Sequence, residues 1–425
     1  MTSRLRVCFA APGHSLVSTG GSVRNVLATA EALSEAADVT LAFRNGLEPV
    51  CPGRYRIEEI APAVGDGLVR DDVAARGLNP FSHLAYLRIL REYARRSAGR
   101  FDLVLEKGWR LSGFLSRAFA AYGVESILIE NDARAWNETI RSPRALAKYA
   151  VHCAAQAVAG HCSRRLKVVA AETSQLKAAL VATRGIAADR ITVVPLGVDH
   201  AVFHPRAMSE SRADLGLAPG VTVMLYVGGM DQYHNLSPLL QALREVAPAE
   251  LELHLVGDGE YRSRYEQLAT GSPVKVVFHG QVPHQRVPVH ISAADLCLAP
   301  YHTSGFHNDE VAFSTLKIPE YMACERPVIS VPSGNIRALI TDGVTGFLFN
   351  NTAASWSAFL ARMPDRASLA AMGRVAGPAV AHLDWRATAR RYLEMAASPG
   401  VGARSGRRGD ILNASSGGRE DQEST

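Results

Sequence analysis

The chain lacks most of the features that would place it outside the large soluble enzymes. No run among its 425 residues approaches the ~18 consecutive apolar positions of a membrane-spanning helix. The first apolar stretch, Val7-Cys-Phe-Ala-Ala11 behind Arg4 and Arg6, is too short for a secretory leader. The six cysteines, at 8, 51, 153, 162, 297 and 324, form no Cys-x-x-Cys pair. That argues for buried free thiols in a reducing cytosol rather than a zinc ribbon or a redox centre. No Gly-x-Gly-x-x-Gly is present, so no dinucleotide cofactor is expected. There is no Asp-x-Asp pair either. His302, His307, Asp309 and Glu310 share one loop but have no regular ligand spacing, so no metal is expected. No repeat of solenoid length is evident. A net charge of +5 is too small to imply nucleic acid; a phosphorylated substrate or a membrane surface accounts for it equally well.

What is present suits a cytoplasmic enzyme of two domains. Hydrophobic residues make up 47% of the chain, enough to bury sizeable cores. Short apolar runs alternate with helical patterns from the start. Leu5-Arg-Val-Cys-Phe-Ala-Ala11 reads as a strand broken by Pro12-Gly13-His14, followed by a loop, a helix over 23–37 and a strand over 38–43. This is how a doubly wound parallel sheet opens. Gly20 and Gly21, just before the helix, can let backbone approach a ligand. Residues 45–80 are rich in Gly and Pro and read as loops with one or two short strands. A helix over 82–98 sets Leu84, Leu87, Ile89, Leu90 and Tyr93 inside, with Arg88, Arg91, Arg95, Arg96 and Arg100 around them. Such a helix presents either a solvated face or one that lies on anionic lipid. The strand over 126–130 ends in Glu130-Asn131-Asp132, at the strand end where open α/β sheets bind ligands.

The second half repeats the alternation. Strands are expected over 221–227, 252–256, 274–278, 296–300 and 327–331. Helices are expected over 236–246, 260–268, 336–341, 353–371 and 379–397. Residues 404–425 are rich in Gly, Ser and charge and read as disordered. The chemistry concentrates in Phe313-Ser-Thr-Leu-Lys-Ile-Pro-Glu-Tyr-Met-Ala-Cys-Glu-Arg-Pro-Val-Ile-Ser-Val-Pro-Ser-Gly-Asn335. A polar loop enters a helix whose first turn holds Pro319 and Glu320. Loop-to-helix junctions beside strand ends hold phosphates in α/β folds. Lys317 supplies a cation there, and Glu320 a carboxylate able to accept two hydroxyl hydrogen bonds.

This stretch resembles the nucleotide-sugar motif of retaining glycosyltransferases of family four, which have the GT-B fold. Leu316, Glu320, Met322, Ala323, Pro327 and Val328 match the common pattern. Its first Glu falls on Ala312, and Phe-Ser-Thr replaces Gly-Phe-Gly. Ser314, Lys317 and Glu320-Tyr-Met-Ala323 fit a branch reading Ser-x-x-Lys-x-x-Glu-Tyr-Met-Ala. Pro195, Gly197, Val198, Asp199, Phe203 and Pro205 resemble the family's linker between domains. Gly229 stands where the family often has Arg, and His234 where it has Lys.

The resemblance implies an α/β GT-B protein, two Rossmann-like doubly wound domains facing a cleft. It divides into an acceptor-side domain (1–197), a nucleotide-sugar domain (198–380), a helix crossing back (381–398) and a tail (399–425). It implies sugar transfer, with retention, from a UDP- or GDP-linked donor to a glycan, lipid-linked sugar or small-molecule hydroxyl. No cofactor beyond this substrate and no nucleic acid is implied. Lys317, Glu320 and Asn131 are the implied catalytic residues. Gly20, Gly21, Gly229, His234, Ser314, Thr315, Leu316 and Glu320 are the implied donor contacts. His234 would share the diphosphate with Lys317 and carry a pH-dependent charge. A nucleotide-sugar epimerase, a phosphorylase-type enzyme and a non-catalytic sugar-nucleotide binder are the alternatives. Peripheral contact with the inner membrane face stays open.

Overall fold

The computed structural model describes residues 4–15, 21–45, 53–61, 80–133, 140–231, 233–246, 248, 250–303 and 309–397. The chain divides into two compact units, Met1–Pro195 with Trp385–Thr425, and Leu196–Asp384.

The first unit is built on β1 (Arg6–Ser15), β2 (Asp38–Asn45), β3 (Arg56–Glu59), β4 (Leu103–Lys107), β5 (Glu125–Glu130), β6 (Val168–Ala171) and β7 (Ile191–Val193). All pairs are parallel, in the order β3-β2-β1-β4-β5-β6-β7. The run Val7–Ala11 is wholly buried, which a parallel strand covered on both faces requires. β1 continues past Pro12 to Ser15, which pairs with Asn45 after an irregularity in register, so the strand outlasts the break expected at Pro12. Helices α1 (Gly21–Ser34), α2 (Pro80–Ser97), α3 (Phe114–Ala120), α4 (Pro143–Ser163) and α5 (Ser174–Arg184) follow the strands. Thr173 caps α5 by accepting from the Leu176 amide, and Gly185 closes it at φ 62°.

The second unit holds β8 (Thr222–Val227), β9 (Leu251–Val256), β10 (Lys275–Gly280), β11 (Leu296–Ala299), β12 (Val328–Ser330) and β13 (Gly346–Leu348). They run parallel in the order β10-β9-β8-β11-β12-β13. Its helices are α6 (Met208–Asp214), α7 (Ser237–Glu245), α8 (Arg262–Ala269), α9 (Val287–Ala293), α10 (Lys317–Ala323), α11 (Ile336–Leu339), α12 (Ala353–Leu360) and α13 (Arg366–Ala379). The last helix, α14 (Trp385–Ala397), belongs to the first unit and packs on α1. In both sheets the order reverses beside the first strand, between β1 and β4 and between β8 and β11. Ligands of doubly wound sheets bind at such reversals.

Several expectations are corrected. The helix expected over 353–371 is two helices, because Asp365 adopts an extended conformation and caps α13 through the Ser368 amide. The helix expected over 379–397 starts only at Trp385, since α13 runs on through Pro378 to Ala379. Helices α6 and α9 were not anticipated; each is seven residues long, too short for a periodic pattern. Residues 404–425 lie outside the described residues.

Two glycines bring the β8 and β9 ends together. Gly257 has φ 126°, and a Cβ there would fall 2.0 Å from the Gly228 carbonyl oxygen. Gly257→Ala is therefore expected to destabilise the second unit by about 1–3 kcal/mol through strain, with relaxation of the Gly228 turn. Gly343→Ala, at φ 73° in open space, serves as the comparison. Thermal melts that shift equally for both variants would contradict this contact.

Candidate active site

The β8 end carries the apolar strand directly into polar chemistry. Tyr226 is buried, and its hydroxyl donates to the Gly229 carbonyl at 2.5 Å. The Lys317 amine, from the first turn of α10, donates to the Tyr226 hydroxyl at 3.2 Å. The same Nζ lies 4.3 Å from the Tyr226 ring centroid and 5.6 Å from that of Tyr301, within reach of cation–π attraction. Gly228, at φ 147°, leaves the space; a Cβ there would meet Lys317 Nζ at 2.6 Å. Helix α10 is held to β8 by Tyr321, whose hydroxyl accepts from the Val227 amide at 2.8 Å and donates to its carbonyl at 3.2 Å.

Asp231 closes the other side. It accepts from the Tyr233 amide at 2.8 Å and from His234 Nδ1 at 2.9 Å. A carboxylate only accepts, so the His234 proton sits on Nδ1 and Nε2 carries a lone pair. The His234 ring lies 5.2 Å from the Tyr301 ring and 5.9 Å from that of Tyr226. Tyr301 in turn shares a short hydrogen bond with Thr315.

Burial governs the charges. It pulls the Lys317 amine down to about 7, against the opposing pull of Asp231 and Glu320. It takes His234 down to about 4, helped by Lys317 and opposed by Asp231. His234 is thus neutral at pH 7 and offers a lone pair, not a hydrogen-bond donor. The pH-dependent charge implied for His234 therefore falls in the acid range in the free protein. Burial pushes the Asp231 carboxyl up, but bonds from His234 and the Tyr233 amide, with the Lys317 charge, hold it below its usual range.

The second unit thus groups Gly229, His234, Thr315 and Lys317 around Tyr226 and Tyr301, with half-buried Ser314 and Leu316 on the same loop. Glu320 stands one turn beyond Lys317, half-buried, and acts electrostatically on it. Ala312 is buried, so the pattern's missing Glu would fall in the core. His307 lies outside the described residues. Asp231 and Tyr226 were not anticipated. An Asp three residues before His234, between two glycines and a helix, was the available signal.

In the first unit the strand ends gather Lys107, Glu106, Glu130, Asn131 and Glu172. Lys107 and Glu172 form a buried ion pair at 2.6 Å, and Asn25 donates to Glu172 at 3.1 Å. Glu106 accepts from the Ser116 amide at 2.7 Å, the Gly113 amide at 2.9 Å and Trp109 Nε1 at 3.1 Å; burial still raises it to about 7. Glu130, expected to face a ligand, is buried and bonded to Arg184 and Ser112. Asn131 is half-buried beside Gly108, where a Cβ would come 2.9 Å from its Oδ1. Gly21 opens α1 and is exposed; Gly20 lies outside the described residues. His14, seen in the sequence only as part of a strand break, meets Ser22 Oγ through Nε2 at 2.5 Å.

Two parallel, doubly wound α/β units with ligand chemistry at the strand ends define the GT-B class of glycosyltransferases. Family models match in both units: Glycosyltransferase Family 4 over residues 19–202 and Glycosyl transferases group 1 over residues 221–364. A D-inositol 3-phosphate glycosyltransferase of Geodermatophilus obscurus is 30% identical over 342 residues, covering 74% of this chain and 70% of that protein. One from Nocardia farcinica is 27% identical over 408 residues, covering 88% and 84%. The alignment with the Segniliparus rotundus relative is 33% identical but spans only 50% of this chain and 48% of that one. The chain belongs to the group 1, family four glycosyltransferases. Among solved structures, a sucrose-phosphate synthase from Thermosynechococcus elongatus superposes with a TM-score of 0.72 at 19% identity, over 92% of this chain and 98% of that one. Anabaena HepE, in complex with UDP and glucose, gives 0.69 at 17%, over 93% and 100%. At these identities the likeness shows the fold.

The Lys317 environment has a measurable consequence. The folded protein binds the Lys317 proton less tightly than the unfolded chain does. Stability therefore rises as the pH climbs from about 7 toward the ordinary lysine value of 10.5. Lys317→Met removes the buried charge, so the variant is expected to be more stable than the parent at pH 6, with the difference shrinking by pH 9. Denaturant titrations at the two pH values check this; a difference independent of pH would contradict it.

Proposed function

We propose that the chain moves a sugar from a nucleoside-diphosphate donor to an acceptor hydroxyl with retention at the anomeric carbon. The observation that carries this reading is the Lys317 amine, held by two tyrosines at the β8/β11 reversal one helical turn from Glu320. The arrangement suits a ligand with a diphosphate and a diol. Glu320 accepts from the two ribose hydroxyls. Lys317 and the backbone N–H groups of Ser314 and Thr315 take the phosphates, with Gly229 allowing close approach. As the glycosidic bond breaks, charge develops on the leaving diphosphate, where a prepositioned cation acts most strongly. The departing phosphate oxygen takes the acceptor's proton on the same face, so the new bond forms with retention. Positioning of donor and acceptor supplies the rest.

HepE is described with UDP and glucose, and several relatives are named for D-inositol 3-phosphate. UDP-sugars and phosphorylated cyclitols are accordingly the first donor and acceptor to test. Lys317 provides the charge that a divalent ion gives other transferases, so the reaction proceeds without metal, in the cytoplasm. Product analysis by NMR with a panel of nucleotide sugars tests the reading. The proposal expects a new glycoside of unchanged anomeric configuration, formed equally well in chelator. A free epimerised nucleotide sugar, a requirement for inorganic phosphate or dependence on Mn²⁺ would overturn it.

Glu320→Ala is expected to weaken nucleoside-diphosphate binding by roughly 1.5–3 kcal/mol, the value of hydrogen bonds to a charged acceptor. Lys317→Ala is expected to lower turnover by about two to three powers of ten. Titration calorimetry and steady-state rates check both; unchanged affinity in the first variant would remove Glu320 from the donor site.

A further inference from the structure

A second concavity lies within the first unit, formed by α2, α3 and α4. Its volume is about 630 Å³, and its walls include Arg91, Phe114, Arg117, Tyr122, Val158 and His161, with Cys162 below. The Arg91 guanidinium lies over the Phe114 ring at 5.3 Å. His161 Nδ1 meets Arg165 Nη1 at 2.9 Å, which adds a third guanidinium at the rim. Burial, and after it the Glu106 charge, push the Cys162 thiol up to about 11, while Arg117, Arg165 and Arg91 pull the other way, so all three cations bear on the floor. Among the described residues neither Arg91 nor Arg117 has a carboxylate partner.

The helices around the cavity share its character. Neither α3 nor α4 contains an acidic residue, and the one acid of α2, Glu92, is paired with Arg95. On α4 the positions Leu146, Ala150, Cys153, Ala157 and His161 follow one another at helical spacing, and all are exposed. Leu84, two turns before Arg91 on α2, is 59% exposed; Tyr122 and Leu146 are 49% and 56% exposed. No helix among the described residues is long and apolar enough to cross a membrane.

We propose that this three-helix face docks on an anionic phospholipid surface, with a lipid phosphate seated between Arg91, Arg117 and Arg165 and Leu84, Tyr122 and Leu146 entering the interface. Cations without carboxylates fit a continuous anionic surface, whereas an acidic protein partner would need a closely packed core with a polar rim. Exposed aliphatic and aromatic side chains beside arginines are what interfacial binding uses. The guanidiniums act within a Debye length of the headgroups. This inference is independent of the donor chemistry described above.

Vesicle flotation of the full chain tests it. The chain is expected to float with vesicles of phosphatidylcholine mixed with phosphatidylglycerol, to stay behind with phosphatidylcholine alone, and to release as salt rises. Each arginine removed should weaken partition about fivefold, the equivalent of roughly 1 kcal/mol per basic residue at an anionic surface. Arg91→Ser with Arg117→Ser should therefore lose about 25-fold with an unchanged thermal melt. Leu146→Asp, outside the cavity, should also weaken flotation. Failure to float with anionic vesicles would overturn the proposal. So would flotation indifferent to these substitutions, or retention by immobilised polyglutamate in place of vesicles. Tight binding of glycerol 3-phosphate without flotation would mark the cavity as a soluble-anion site and equally overturn it.

Discussion

A lysine amine held against two buried tyrosines is the constraint on which the second unit's site depends. Lys317 reaches Tyr226 only because Gly228 has no side chain, and Gly228 is held where it is by the close approach of Gly257. Tyr321 ties α10 to the end of β8 and fixes the root of that lysine. Each of these contacts restricts a neighbour, so strand end, turn and helix form one rigid cradle. Burial leaves the amine close to its neutral state in the empty protein, and Asp231 and Glu320 keep it from losing the proton altogether. An anionic ligand arriving there meets a group ready to become fully charged.

The first unit handles buried charge differently. Lys107 is neutralised by Glu172, and Glu130 by Arg184, both pairs out of contact with solvent. Breaking one partner of such a pair leaves an uncompensated charge, which is far more costly than the pair itself is stabilising. These groups shape the strand ends and orient the loops. Among the described residues of the second unit, Lys317 at the strand end has no close ion pair and rests against Tyr226 and Tyr301 instead.

Much of the fold was legible because parallel strands covered on both faces leave continuous apolar runs, as in Val7–Ala11 and Leu296–Ala299. Lys317, Glu320 and the 314–316 loop were legible because a helix entry beside a strand end is a local pattern. Asp231, Tyr226 and Gly257 were not, since their importance lies in approaches across the chain that no spacing reveals. Glu130 looked available in sequence; its partner Arg184 is 54 positions away. The split at residues 361–365 escaped notice because Ala- and Leu-rich segments on both sides have the same helical character, and only the Asp365 cap separates them. His234 was expected to carry a pH-dependent charge because histidine titrates near neutrality in water, but burial beside Lys317 moves that titration into the acid range.

The central claim is that the Lys317 cradle receives the donor's diphosphate. Binding of UDP, measured calorimetrically at pH 8 in buffers of different ionisation enthalpy, tests it most directly. A phosphate beside a largely neutral amine raises its proton affinity, so the wild-type chain should take up about one proton as the nucleotide binds. Lys317→Met should bind more weakly and take up none. UDP binding with no proton uptake, or with the same uptake and affinity in Lys317→Met, would place the diphosphate elsewhere and contradict the account.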